Sequence, residues 1–208
     1  MQAKTPRRRR NDPEGLRARV LDAAAGLFQT RGYHATGMRD VMQASGISSG
    51  ALHHHFPTKD ALALAVITER VAPAVRESWI DPVRSAASVS RGVRQVFADI
   101  IDGIEQRGAV AGCPLNNLAM ELSFSSPGLR ESLQAIFQEW QRTLAARIAE
   151  TKGGARLDRT KRAAAAAFIV ATYSGAMNLA KTTQSASPLR DAVAILSAWL
   201  EERGFARQ

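Results

Sequence analysis

Apolar residues return at helical spacing along most of the chain, in runs separated by glycine, proline and serine. From Glu14 to Arg31 they fall at Leu16, Val20, Ala23, Ala24, Leu27 and Phe28, one face of a helix, and Gly32 follows as a stop. The pattern then predicts a short helix over 38–44, with Val41 inward, ending at Ser45-Gly46. A third helix is predicted over 49–56 and closed by Pro57, because the residue before a proline is driven out of the helical region. Thr58 has the chemistry of an N-cap for a fourth, which sends Leu62, Ala65 and Val66 toward the core. Pro73 is expected to kink or end that helix.

Beyond Pro82 the predicted helices lengthen. Val93, Val96, Phe97, Ile100, Ile101 and Ile104 mark one, broken at 108–112, and Pro114, at a first-turn position, opens another through Leu118, Met120 and Leu122. Leu129, Leu133, Ile136, Phe137, Trp140, Leu144 and Ile148 trace a long amphipathic helix that stops at Lys152-Gly153-Gly154. Residues 160–181 are apolar almost all round, and Leu189, Val193, Leu196 and Leu200 outline a final helix after Pro188. No stretch alternates as a strand does and no repeat is visible, so the expected class is all-α.

A helix that is apolar on every side has to be covered on several sides. Residues 163–177 therefore belong in the middle of a bundle or against a second subunit, and the small side chains there allow close approach. With the last helix they suggest half of a four-helix dimer interface, for which Ala166, Val170, Ser174, Met177, Val193, Leu196 and Leu200 are the candidates. The competing reading is a monomer with a well-filled core.

The charge balance adds a partner to this picture. Twenty-eight Lys and Arg against 19 Asp and Glu give a formal +9, which favours a polyanion such as nucleic acid or an acidic membrane surface. Arg7, Arg8, Arg9 and Arg10 form a run without acids, read as a basic, flexible arm over residues 1–13. The single cysteine, Cys113, excludes an internal disulfide, and the longest uninterrupted apolar run, Ala163 to Ala171, is shorter than the roughly 20 residues of a membrane span. A cytoplasmic protein without a membrane partner is expected.

The chemistry concentrates at 46–60, GISSGALHHHFPTKD. Three consecutive histidines suggest a metal first, but His53, His54 and His55 spread about 200° around a helix axis, whereas metal pairs need spacings of three or four. No metal and no cofactor is expected. Two short helices joined at Gly46 have instead the layout of a helix-turn-helix, whose second helix enters the major groove. Ser48, Ser49, Gly50 and Ala51 are small enough to let it approach, with hydroxyls and amides to offer phosphates or bases.

The run AAAGLFQTRGYHATGMRDVMQASGISSGALHHHFPTKDAL resembles the DNA-binding domain of the TetR/AcrR family of transcriptional repressors. The resemblance rests on Gly32-Tyr33, Thr36, Arg39-Asp40-Val41, Gly46-Ile47-Ser48, Gly50-Ala51-Leu52, Phe56, Lys59 and Leu62. It implies a three-helix reader over 14–58, a connecting helix over 59–78, and a larger helical domain, together spanning 59–208, that dimerises and holds a small-molecule pocket. It also implies DNA contact at His53, His54, His55 and Lys59, where tyrosine is frequent in place of His53 and His55, and a DNA role for Arg39. Thr36 becomes a candidate helix cap and phosphate contact, while Gly37 departs from the usual Ser or Thr.

The resemblance implies a repressor bound as a homodimer to a roughly palindromic double-stranded operator and released by a small, largely apolar effector. Phe97, Ile101, Cys113, Asn116, Met120, Phe124, Phe137, Trp140, Phe168, Tyr173 and Met177 are the candidate pocket residues, though helical spacing alone makes the apolar ones core. Cys113 reads either as a buried small hydrophobe or, at a helix N-terminus, as an activated thiol. No G-x-S-x-G, H-E-x-x-H or glycine-rich phosphate loop occurs, so no enzyme is expected.

Overall fold

The computed structural model describes residues 13–124 and 126–206. Helix α1 covers Pro13–Arg31 and buries Val20, Leu21, Ala24 and Phe28; Gly32, at φ +89°, stops it. Helices α2, Met38–Ser45, and α3, Ser49–His55, are joined through Gly46, whose left-handed backbone at φ 67° turns the chain with its N–H on Met42 O at 3.0 Å. A residue with a Cβ is disfavoured in that conformation. Ile47 is buried beneath the turn, and Ser48 caps α3 by accepting the N–H of Ala51 at 3.3 Å.

Helix α4, residues 59–85, does not end at Pro73, and the distortion expected there takes the form of two π turns, one on either side of that residue. It is capped by Thr58, which accepts the N–H of Ala61 at 3.1 Å, and it runs without interruption over residues 59–85. Its α-helical pieces Lys59–Val66, Ala72–Val75 and Asp81–Ser85 alternate with wider π turns at Ile67–Val71 and Arg76–Ile80. The π turns flank Pro73, where a regular ladder would meet a missing N–H and a clashing ring. They also set the register. Ile67, Val71, Val75, Trp79 and Val83 are all buried at a spacing of four. In a plain α-helix such a row drifts by about 40° per step, and the wider turns wind it back onto one face.

The first π turn makes contact with α1. Glu69 and Arg70, both in the first π turn, take up Arg17 and Asp22 of α1, so one local distortion supplies two oppositely signed clamps. Glu139, on the later helix Pro127–Ala149, receives Arg76 from the second π turn through two bonds of 2.9 and 2.8 Å.

The remaining helices are α5, Val89–Arg107; α6, Pro114–Leu122; α7, Pro127–Ala149; α8, Arg159–Thr183; and α9, Ser187–Glu202, with a single turn at Lys152–Ala155 before α8. Among the described residues there is no strand. Helix α8 packs on α7 and α9, and α9 packs on α5. Length and composition would let α8 cross a membrane, beyond what its longest uninterrupted apolar run suggests. Here its Ala166, Ile169, Val170, Tyr173 and Met177 are buried among neighbouring helices, as in the core helix of a bundle.

An aromatic knot holds the centre. Trp79 lies 4.7 Å from both Trp140 and Tyr173 and 5.7 Å from Phe97, ring centre to ring centre, mostly edge to face. Rings in that arrangement add attraction beyond the area they bury. The knot joins α4, α5, α7 and α8.

Candidate nucleic-acid interface and effector cavity

The buried side chains of α2 and α3, Val41 and Leu52, leave a polar outer surface. On α3 that surface is Ser49, Gly50, His53 and His54, with Ser48 at its start; all are exposed, whereas His55 is half-buried. The rings of His54 and His55 meet edge to face at 5.4 Å, and His55 leans on Phe56, which is buried with the Arg17 guanidinium 5.2 Å from its ring centre. Arg39 and Gln43 extend the exposed surface along α2. Among the described residues no cluster of His, Cys, Asp and Glu has the makings of a metal site.

Two expectations for this surface change. Thr36 is buried and its hydroxyl donates to Gly32 O at 2.8 Å, so it holds the turn together and offers nothing to a phosphate. The N-cap of α2 is Gly37, whose N–H is taken by Asp40 Oδ2 at 2.7 Å. Arg7, Arg8, Arg9 and Arg10 lie outside the described residues.

Lys59, at the first turn of α4, is half-buried and placed by a residue to which the sequence reading gave no role. Its ammonium stands 4.0 Å over the ring of Tyr33, and the Tyr33 hydroxyl donates to Asp60 at 2.6 Å. Partial burial draws the ammonium below its ordinary value, opposed by the nearby carboxylates of Glu121, Asp60 and Asp40. Burial and Asp60 together keep the Tyr33 phenol protonated far above its usual range.

A cavity of about 300 Å³ opens between α6, α7 and α8. Of the expected pocket residues it brings together Cys113, Asn116, Met120, Phe137 and Met177. Ser174, expected at a dimer interface, lines it as well and donates to Asn116 Oδ1 at 3.2 Å. Gly112, Asn117, Ala119, Gly175, Asn178 and Lys181 complete the wall, with the Lys181 ammonium donating to Asn117 Oδ1 at 3.1 Å. Cys113 is buried, and desolvation pushes its thiol up against the lowering influence of the Leu115 and Asn116 amides at the helix start. Cys113 is thus a buried small hydrophobe and not an activated thiol.

The other expected pocket residues are elsewhere. Phe97, Trp140 and Tyr173 are spent on the aromatic knot, and Ile101 is buried on α5 away from the cavity wall. Phe124 is 98% exposed just past α6, and Phe168 is 47% exposed on α8, against Trp199 at 4.9 Å. Helical spacing identifies an inward face but cannot tell a packed face from a cavity wall.

The dimer candidates are corrected in the same way. Ala166, Val170, Met177, Leu196 and Leu200 are buried within one chain, and Val193 is half-buried against the same core. The large apolar side chains that α8 and α9 leave outside are Phe168, Leu179 and Ile195.

A helix-turn-helix reader carried on a larger helical body with a cavity defines a transcriptional regulator of the DNA-binding class, and comparison with known proteins gives the family. Residues 20–66 match the model of bacterial regulatory proteins of the tetR family, and residues 90–195 match that of the transcriptional regulator LmrA/YxaF-like C-terminal domain. The chain belongs to the TetR family of transcriptional regulators.

Among relatives, the HTH-type transcriptional regulator LmrA of Bacillus subtilis is 28% identical over 83% of this chain and 90% of its own. The HTH-type transcriptional repressor DhaR of a Mycobacterium species is 25% identical over 84% and 86%. The crystal structure of a TetR transcriptional regulator from Chloroflexus aurantiacus superposes with a TM-score of 0.76 at 31% identity, covering 91% of this chain and 96% of that one.

Proposed function

We propose that the protein is a homodimeric, cytoplasmic repressor that leaves its operator when a small, largely apolar molecule fills the cavity between α6, α7 and α8. The observation that carries this reading is that α6 both lines the cavity and touches the DNA-reading domain, so one nine-residue helix belongs to both. DhaR, a relative over most of the chain, is named a repressor.

In this reading Ser48, Ser49, Gly50, His53 and His54 meet the major groove, His55 supports them from the side, and Arg39 and Lys59 hold phosphates. Arg7, Arg8, Arg9 and Arg10 add salt-sensitive affinity. Phe168, Leu179 and Ile195, the exposed apolar side chains of α8 and α9, meet their copies across a two-fold axis. Two recognition helices then reach successive major grooves about 34–36 Å apart on a roughly palindromic site. A ligand can shift the equilibrium only by binding the DNA-incompetent arrangement more tightly than the competent one.

Selection of duplexes from a random pool tests the reading. The expected product is an inverted repeat bound by two chains; equal binding to all duplexes overturns it.

A further inference from the structure

Helix α6 is strapped at one end to the tail of α1 and at the other to the turn that follows α1. At its approach, Gln29 Nε2 donates to Ala111 O at 2.9 Å and to Gly112 O at 2.7 Å. At its far end, the Glu121 carboxylate accepts two consecutive backbone N–H groups, Tyr33 on Oε1 at 3.1 Å and His34 on Oε2 at 2.9 Å. The His34 ring lies 3.3 Å from Glu121 O. Hydrogen bonds to an ionised acceptor are about twice as strong as neutral ones, so this clasp is the firmer of the two. It is also closely fitted: Gly32, at φ +89°, leaves room where a Cβ would stand 2.7 Å from Glu121 Oε1.

We propose that Glu121 is a positioning residue for DNA binding, through which the state of the cavity is felt at Lys59. The inference rests on the regulatory reading given above and names its route. The residue whose amide Glu121 holds, Tyr33, carries the Lys59 ammonium on its ring face at 4.0 Å. The path from cavity to DNA is therefore carboxylate, amide, ring and ammonium. On the cavity side, Glu121 lies one helical turn beyond Asn117 and next to Met120, both in the cavity wall. A ligand that displaces this helix by an ångström pulls the carboxylate off both amides. Tyr33 then keeps its hydroxyl anchor on Asp60 but loses the one at its amide, so its ring pivots and Lys59 loses its fixed position.

Charge and position make opposite predictions for Glu121. As a bare negative charge close to Lys59 it repels phosphate, and removing it tightens DNA binding. As a positioning residue it holds Lys59 in place, and removing it weakens binding.

The experiment uses a duplex selected by the wild-type protein and the full-length variants Glu121→Ala and Glu121→Gln. The glutamine keeps the shape of the side chain but offers a weaker, neutral acceptor, and so guards against loss of folding in the alanine variant. Both are expected to bind the selected duplex more weakly, by about fivefold or more for the alanine variant. Reciprocity gives a second readout that needs no effector: binding DNA should slow hydrogen exchange in residues 114–122 of the wild type and not in Glu121→Ala. Tighter or unchanged binding by both variants, or DNA-induced slowing that survives Glu121→Ala, overturns the proposal. A wild type that selects no duplex overturns the regulatory reading itself, a separate result.

Discussion

The guanidinium of Arg17 on α1 meets the carboxylate of Glu69 on α4 through two parallel hydrogen bonds, one of them 2.6 Å from Nη2 to Oε1. This bond, above all others, holds the Glu69 carboxyl below the usual carboxylate range. A carboxylate with a lowered native value stabilises the fold above its unfolded value, and that contribution is lost as the pH falls through the native one. The wild type should therefore lose stability below about pH 4.5. Both side chains are more than a third exposed, so screening limits the pair to about 0.5 kcal/mol, roughly 1–2 °C in Tm. The gap between thermal melts of the wild type and Glu69→Gln, measured at pH 7 and then stepwise below pH 4.5, should narrow as the pH falls; an undiminished gap would remove the ion pair as its source.

Lys59→Ala should weaken binding to all duplexes alike and lower the salt slope by about one, as expected for one lost phosphate contact. Tyr33→Leu should shift affinity in the same direction with Lys59 intact, because it removes the ring that holds the ammonium. Fluorescence anisotropy over a salt series measures both. A sequence-dependent loss in Lys59→Ala would count against the phosphate role.

His53→Ala and His54→Ala should each reduce the ratio of selected to random duplex affinity, by an amount equivalent to about 1–3 kcal/mol where a base contact is lost. His55→Ala should cost less in that ratio, since its ring leans on Phe56 instead of facing outward. Competition binding separates the two cases. Equal loss of both affinities would make these residues phosphate contacts.

Trp140→Ala should destabilise the protein by about 3–5 kcal/mol, because it opens a void in the aromatic knot. Phe137→Ala should cost less, since Phe137 is only partly buried and faces the cavity. Urea unfolding of the two variants gives the comparison. Similar losses would mean that the cavity wall is as tightly packed as the knot.

Cys113 should react slowly with thiol reagents and resist mild oxidants, because burial favours its protonated form. Cys113→Ser should leave duplex affinity unchanged. Rapid modification of the folded protein at neutral pH would restore the activated-thiol reading.

How much of this was legible in the residues depended on distance along the chain. The turn at Gly46 and the cap at Thr58 follow from neighbours a few residues apart, and the sequence places them correctly. Pro73 misled because a proline normally breaks a helix, and nothing local announces that π turns will absorb it. Thr36 was misplaced because the bond that buries it runs backward to Gly32, which looked like a simple stop. Glu121, some 88 residues from its partner Tyr33, carries no local signal at all. Met120 and Phe97 read alike from periodicity, yet one is 82% exposed at a cavity rim and the other fully buried.

The unbroken helix over residues 59–85 has a practical meaning for anyone building hybrids of this protein. Reader and body share a rod instead of a tether, so no neutral seam exists at which one relative's reader could be spliced onto another's body. A junction must fall inside the helix and preserve its phase. One residue too many or too few there would turn the reader by about 100° about the rod.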